Sequence, residues 1–177
     1  MKRFRLVLIL LFISAIPMMA QLSEQTDDDA KYATDLLKKG SAAPDFILKT
    51  PDGKTFKLSE LKGKYVVLDF WASWCPDCRK DIPNIMRMYN EFHNRGVEFV
   101  GVSFDTDMAA WTSAIEKFDI RYTQVSELKK FHDTQISKTY GVNWIPSMYL
   151  IDKEGKVVMG TVISDKLEKT LEKLTGL

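Results

Sequence analysis

Tyr65 to Phe70 is a run of apolar, β-prone residues broken only at Asp69, the pattern of a strand buried on both faces. The period then changes. Ile82, Ile85, Met86, Tyr89 and Phe92 recur at helical spacing, which predicts a long helix over Pro76–His93 with Gly96 beyond its end. Pro83 inside it removes one backbone hydrogen bond and its ring clashes with the carbonyl four residues back, so a kink is expected there. Val97–Phe104 reads as a second apolar strand and Asp107–Phe118 as a second helix. Ile120–Val125 is short and extended, and Glu127–Tyr140 carries one or two short helices. Met148–Ile151 and Lys156–Val162 pair across the turn Asp152-Lys153-Glu154-Gly155, and Asp165–Leu174 forms a terminal helix with Leu167, Leu171 and Leu174 on one face.

Upstream, Phe46-Ile47-Leu48 and Thr55-Phe56-Lys57-Leu58 flank Pro51-Asp52-Gly53, a turn between two short strands. Ser59 is expected to cap a single helical turn, Glu60-Leu61-Lys62, closed by Gly63. The order is β-hairpin, β-α-β-α, then β-β-α. That is an α/β domain over residues 40–177, without internal repeats. Residues 21–39 open on Thr26-Asp27-Asp28-Asp29 and continue into a short amphipathic run of Ala30, Ala33, Leu36 and Leu37, predicting a flexible segment with a loosely attached helix. Residues 1–20 have the signal-peptide pattern: Lys2, Arg3 and Arg5 precede an apolar stretch from Leu6 to Ile16, too short for an ordinary membrane span. Cleavage after Ala20 is expected. Met18 is larger than the residue usual at its position, which keeps an uncleaved anchor as the alternative.

The chain has 177 residues, and its 45% hydrophobic content suffices for one sizeable core. Its 25 basic and 24 acidic residues nearly cancel, which argues against nucleic acid as a partner. Without the leader, 22 basic and 24 acidic residues remain, a weakly acidic and soluble protein.

Candidate chemistry centres on the two cysteines of the chain, Cys75 and Cys78, which lie where the central strand gives way to the long helix. The helix N-terminus, with its unpaired N–H groups and positive dipole end, favours a thiolate at Cys75, and Cys78 one turn on can close a disulfide. A purely structural bridge is disfavoured because so small a loop constrains the unfolded chain weakly. A zinc site lacks a second ligand pair, and His93 and His132 are isolated. No metal and no cofactor beyond the Cys75–Cys78 dithiol is therefore expected. Pro76 and Asp77 suit the first positions of a helix. Asp77 also sets a negative charge beside the nascent thiolate, making Cys75 less acidic and the disulfide harder to reduce.

Asp69 is costly to bury in an apolar strand. Either it lies beneath the dithiol, where a desolvated carboxyl can accept and return the proton of Cys78, or it meets solvent at an edge. Trp111 and Tyr122 read as core or scattered surface aromatics. Trp144 adjoins Ile145-Pro146, where it either touches substrate or does not.

In its motifs the chain resembles the thioredoxin-fold proteins, in particular the extracytoplasmic TlpA/ResA type. The resemblance rests on Ala43-Pro44-Asp45-Phe46, on Val66 to Cys78 with its Trp74-Cys75-Pro76-Asp77-Cys78 core, on Tyr140 to Ser147 and on Leu150 to Gly155. It implies a central mixed sheet flanked by helices, an N-terminal β-hairpin and a helical insertion over 104–135. It further implies that Pro146 is cis against the dithiol, that Ile145 offers its backbone to an extended substrate and that Trp74 packs beside the first cysteine. Pro83 matches the kink proline and Asp69 the buried acid. Two departures stand out: Pro-Asp replaces Gly-Pro between the cysteines, and Val100-Gly101-Val102 has no lysine to pair with the acid.

The resulting expectation is an extracytoplasmic, periplasmic-type thiol–disulfide oxidoreductase. It reduces protein disulfides through Cys75 and Cys78, with Asp69 as proton acceptor and Trp74, Trp144, Ile145 and Pro146 against the substrate. Protein thiols and a membrane redox donor are its expected partners, and preparation of cysteines for cytochrome c maturation is one role its relatives take. A dithiol oxidase or isomerase shares every motif. A peroxidase of this fold needs Thr or Ser three residues before the reactive cysteine and Pro four before that, where Ala72 and Leu68 stand. A copper-handling module usually spaces its cysteines by three and adds a histidine.

Overall fold

The computed structural model describes residues 27–176; residues 1–26, on which the expected signal peptide falls, and Leu177 lie outside the described residues. Its centre is β3 (Tyr65–Trp71), buried at every position after Tyr65, Asp69 included, as expected of an apolar run with a single polar break. To one side β4 (Val97–Ser103) pairs with it in parallel, and β5 (Thr123–Ser126) pairs in parallel with β4. To the other side β6 (Ser147–Ile151) runs antiparallel to β3, and β7 (Val157–Thr161) closes that edge. The hairpin of β1 (Ile47–Lys49) and β2 (Thr55–Lys57) extends the far edge through one antiparallel pair, Lys49 with Ser126. The seven-stranded mixed sheet thus has the order β2-β1-β5-β4-β3-β6-β7.

Among the described residues five α-helices accompany it: α1 (Asp28–Tyr32), α2 (Pro76–Phe92), α3 (Met108–Lys117), α4 (Gln135–Tyr140) and α5 (Ser164–Thr175). Strand alternation gives the sheet two different faces. On one, Tyr89 of α2 packs against Phe99 and Tyr122. On the other, Phe70 meets Phe104, Tyr140 and Tyr149. Asp69 and Trp71 share the parity opposite to Phe70, and so belong to the α2 face.

Two local expectations are corrected and one is extended. Ser59 does not cap the turn after β2: it lies inside a 3₁₀ turn over Leu58–Leu61, and its N–H donates to Asp45 Oδ1 at 2.9 Å. Residues 104–135 supply the expected helical insertion with α3 and, within the stretch expected to be extended, β5. The segment 27–39, expected to be loose, is mostly exposed but tethered to the domain. Its helix ends at Tyr32, Leu36 is buried and the Leu37 N–H donates to the Tyr149 hydroxyl at 2.7 Å. Gly141 permits that approach: its φ is +64, and a Cβ there would collide with the Asp35 carbonyl oxygen. Pro83 lies within α2 without ending it.

Candidate active site

The β3–α2 junction delivers Cys75 as the N-cap of α2, in extended conformation with Pro76 at the first helical position. Its sulfur takes the place of a capping oxygen: the Cys78 N–H donates to Cys75 Sγ at 3.1 Å. The two cysteines form a disulfide with their Cα atoms 5.3 Å apart. Both residues are nearly enclosed, Cys75 at 4% and Cys78 at 2% exposure, which leaves Cys75 the more open.

Across from the bridge, Ile145-Pro146 is a cis peptide immediately before β6. The Ile145 carbonyl oxygen lies 3.7 Å from Cys75 Sγ. The Ser147 hydroxyl donates to the Trp144 carbonyl at 2.7 Å and so closes this loop on itself. Trp74 and Trp144 expose 52% and 39% of their surfaces, and Trp144 stacks on Tyr32 with ring centroids 4.2 Å apart. Trp74, next to Cys75 in the chain, thus leaves about half of its surface to solvent.

Asp69 is buried, which excludes the solvent-edge position. Its direct neighbour on β4 is Gly101, and a Cβ there would collide with the Gln124 side-chain amide. The space that a side chain on β4 would fill is thus held by Gln124, whose Oε1 accepts from Trp71 Nε1 at 2.9 Å. Beyond it, the Tyr122 hydroxyl donates to Asp69 Oδ2 at 2.7 Å. Burial pushes the Asp69 carboxyl up to about 7; the Tyr122 hydrogen bond opposes the rise, and the charge of Asp81 on α2 adds to it. The Tyr122 hydroxyl is itself held well above its ordinary range, by burial first and then by Asp69, so it remains a donor.

Two functional residues escape a reading of the sequence. Tyr122 looks there like an ordinary aromatic. Asp105 belongs to no motif, yet it is buried directly behind the dithiol loop. Its carboxyl accepts from the Ser73 N–H at 3.0 Å, the Ser73 hydroxyl at 2.5 Å and the Ser103 hydroxyl at 2.7 Å. Ser73 lies two residues before Cys75, so Asp105 fixes the approach to the helix start. The signal available for it is a polar residue just past the C-terminal end of a parallel strand, where α/β sheets place their sites. Asp77 is exposed and pairs with Lys80 at 3.2 Å. Among the described residues, no group of three His, Cys, Asp or Glu side chains could hold a metal ion.

A thioredoxin-fold sheet with a Cys-x-x-Cys pair capping a helix and a cis-proline loop against the first sulfur defines a thiol–disulfide oxidoreductase. The chain belongs to the AhpC/TSA family, whose model matches residues 39–159, and within that thioredoxin-like group to the TlpA/ResA type. It is 34% identical over 139 residues to a thiol-disulfide oxidoreductase ResA of Bacillus cereus, covering 77% of this chain and 78% of the relative. The thioredoxin domain of a Bacteroides vulgatus thiol-disulfide oxidoreductase superposes with a TM-score of 0.72 at 35% identity, over 78% of this chain and 99% of that one. A thiol:disulfide interchange protein from a Bacteroides species gives 0.72 at 35% identity, over 80% of this chain and 92% of the other.

Proposed function

We propose that the protein reduces disulfides of other proteins outside the cytoplasm, with Cys75 as attacking thiolate, Cys78 as resolving thiol and Asp69 as proton acceptor. The observation that carries the reading is the Cys78 N–H aimed at Cys75 Sγ at 3.1 Å. Once the bridge is reduced, that same donor and the α2 N-terminus stabilise negative charge on Cys75. The thiolate attacks one sulfur of a client disulfide, the client S–S bond breaks, and the released sulfur leaves as a thiolate that takes a proton from water. A mixed disulfide now joins Cys75 to the client. Cys78 gives its proton to the Asp69 carboxylate and attacks Cys75 Sγ. The second client sulfur leaves as a thiolate, Asp69 gives back the proton that the client takes up, and the Cys75–Cys78 bridge re-forms. Each cycle delivers two electrons, and a membrane-bound dithiol donor restores the reduced state.

A carboxyl near 7 supports the proton step, because it exchanges a proton at neutral pH where an ordinary aspartate does not. The Ile145 carbonyl beside the sulfur suits an extended client segment, pairing edge to edge with Trp74 and Trp144 on its flanks. The sequence resemblance supports export on residues 1–20 and a role in presenting reduced cysteines for haem attachment.

A Cys78→Ser variant tests the scheme: the mixed disulfide is expected to accumulate on Cys75, and mass spectrometry identifies the client. No adduct on Cys75 overturns it. The redox potential separates reductase from oxidase: a value near the thioredoxin level of about −270 mV fits, and one near about −120 mV reverses the direction. N-terminal sequencing of exported protein is expected to begin at Gln21; a mature chain retaining residues 1–20 makes the leader an anchor.

A further inference from the structure

The exchange needs a surface that seats a client beside Cys75, and part of that surface comes from the start of the described chain. Residues 27–37 form a strap tied down at both ends. Upstream, the Asp29 carboxyl accepts from the Thr161 hydroxyl at 2.8 and 2.9 Å, from the Val162 N–H at 2.8 Å and from Lys166 Nζ at 2.8 Å. Asp27 meets the same lysine at 2.7 Å. Downstream, Asn143 Nδ2 donates to Asp35 Oδ2 at 2.6 Å, and the buried Leu36 side chain lies over Gly160. Tyr32 stands between these two anchor groups, half-buried, its ring parallel to within 20° of the Trp144 indole at 4.2 Å. Lys31 Nζ adds a cation 4.6 Å from the Tyr32 ring centre.

The placement bears directly on the site. Trp144 is the residue before Ile145, whose carbonyl touches the Cys75 sulfur at 3.7 Å. An indole with 39% of its surface in solvent has several rotamers open to it unless something holds it. Tyr32 does so by stacking on it, which holds the exposed remainder of Trp144 one residue along the chain from the carbonyl that meets the Cys75 sulfur.

We propose that Tyr32 is a substrate-positioning residue that acts through Trp144, favouring client disulfides whose cysteine is flanked by a bulky apolar side chain. The proposal rests on the exchange reading above. An apolar neighbour is preferred because the residue before Cys75 and the residue before Ile145 are both tryptophans with exposed surface, Trp74 and Trp144. A well-seated aromatic contact amounts to about a three- to tenfold preference.

The test uses two synthetic peptides, each with one cysteine in a mixed disulfide with glutathione, flanked by Phe in one and Gly in the other. The reduced wild-type protein is expected to favour the Phe peptide about three- to tenfold, through KM. Tyr32→Phe keeps the preference, since ring and not hydroxyl makes the stack. Tyr32→Ala loses it with kcat retained. In a Trp144→Ala background, Tyr32→Ala adds nothing further, because the two residues act as one unit. Tyr32→Leu, which keeps bulk without a flat ring, repeats the test should the alanine variant fold poorly. A Tyr32→Ala or Tyr32→Leu protein that keeps the preference overturns the proposal. So does a fall in kcat on both peptides alike. A wild type that reduces neither peptide overturns the exchange reading itself, and this inference with it.

Discussion

The Tyr122 hydroxyl reaches Asp69 at 2.7 Å across an intervening strand that offers only Gly101 at that level. A neutral donor thus serves the buried acid where thioredoxins use a lysine. The hydrogen bond favours the ionised carboxyl, so Tyr122→Phe raises the Asp69 value above about 7. The groups in play are Tyr122, just ahead of β5, and Asp81 from α2. The resolution step, followed as decay of the mixed disulfide, is expected to reach half its maximal rate about one pH unit higher than in wild type. An unmoved profile removes Tyr122 from the proton path.

Asp69 also links stability to pH. Its folded value of about 7 exceeds the ordinary 3.8, so between these the native state holds a proton that the unfolded chain has released. Stability from this group is complete below about 4 and is lost as pH rises towards 7. Asp69→Asn has no such proton to lose and can keep the Tyr122 hydrogen bond. Urea unfolding is expected to show little gain at about pH 4 and a gain of up to about 4 kcal/mol at about pH 8. A gain equal at both pH values contradicts it. The same variant resolves mixed disulfides more slowly.

Asp105→Ala strips three hydrogen bonds from a buried site, leaving the Ser73 N–H and two hydroxyls without their acceptor. A loss on the order of 3 kcal/mol is expected in chemical denaturation. Thiol alkylation of the reduced variant should also be altered, because Ser73 sets the path of the chain into Cys75. A variant unchanged in both measurements leaves Asp105 with no role in the loop.

The charge of Asp77 acts through solvent and is shared with Lys80 at 3.2 Å. Its influence on the dithiol is correspondingly small. Asp77→Asn is expected to raise the redox potential by about 10–20 mV, making the protein slightly less reducing. A potential that is lower or unchanged, measured against glutathione, refutes the electrostatic role.

What is legible in the sequence follows from where the information lies. The period of the β3 run and of α2 is local, so both elements and the position of the cysteines between them can be read directly. The cis peptide at Pro146 comes through likeness of motif, since spacing alone does not specify an isomer. Tyr122 and Asp105 are not legible because their meaning depends on strand order. Tyr122 meets Asp69 from 53 positions away in sequence, and only the β5-β4-β3 arrangement aligns them. The strap is hidden for a related reason. Its few apolar residues suggest weak attachment, but its hold comes from Asp29, Asp35 and the Leu37 amide, bonded to groups more than 100 residues distant.

Because Gly101 brings no cation to the buried acid, its proton affinity comes chiefly from the exclusion of water, tempered by an uncharged hydroxyl and only lastly raised by the charge of Asp81. Dissolved ions screen neither of the first two. The pH at which Asp69 changes charge should therefore move little from dilute buffer to brine.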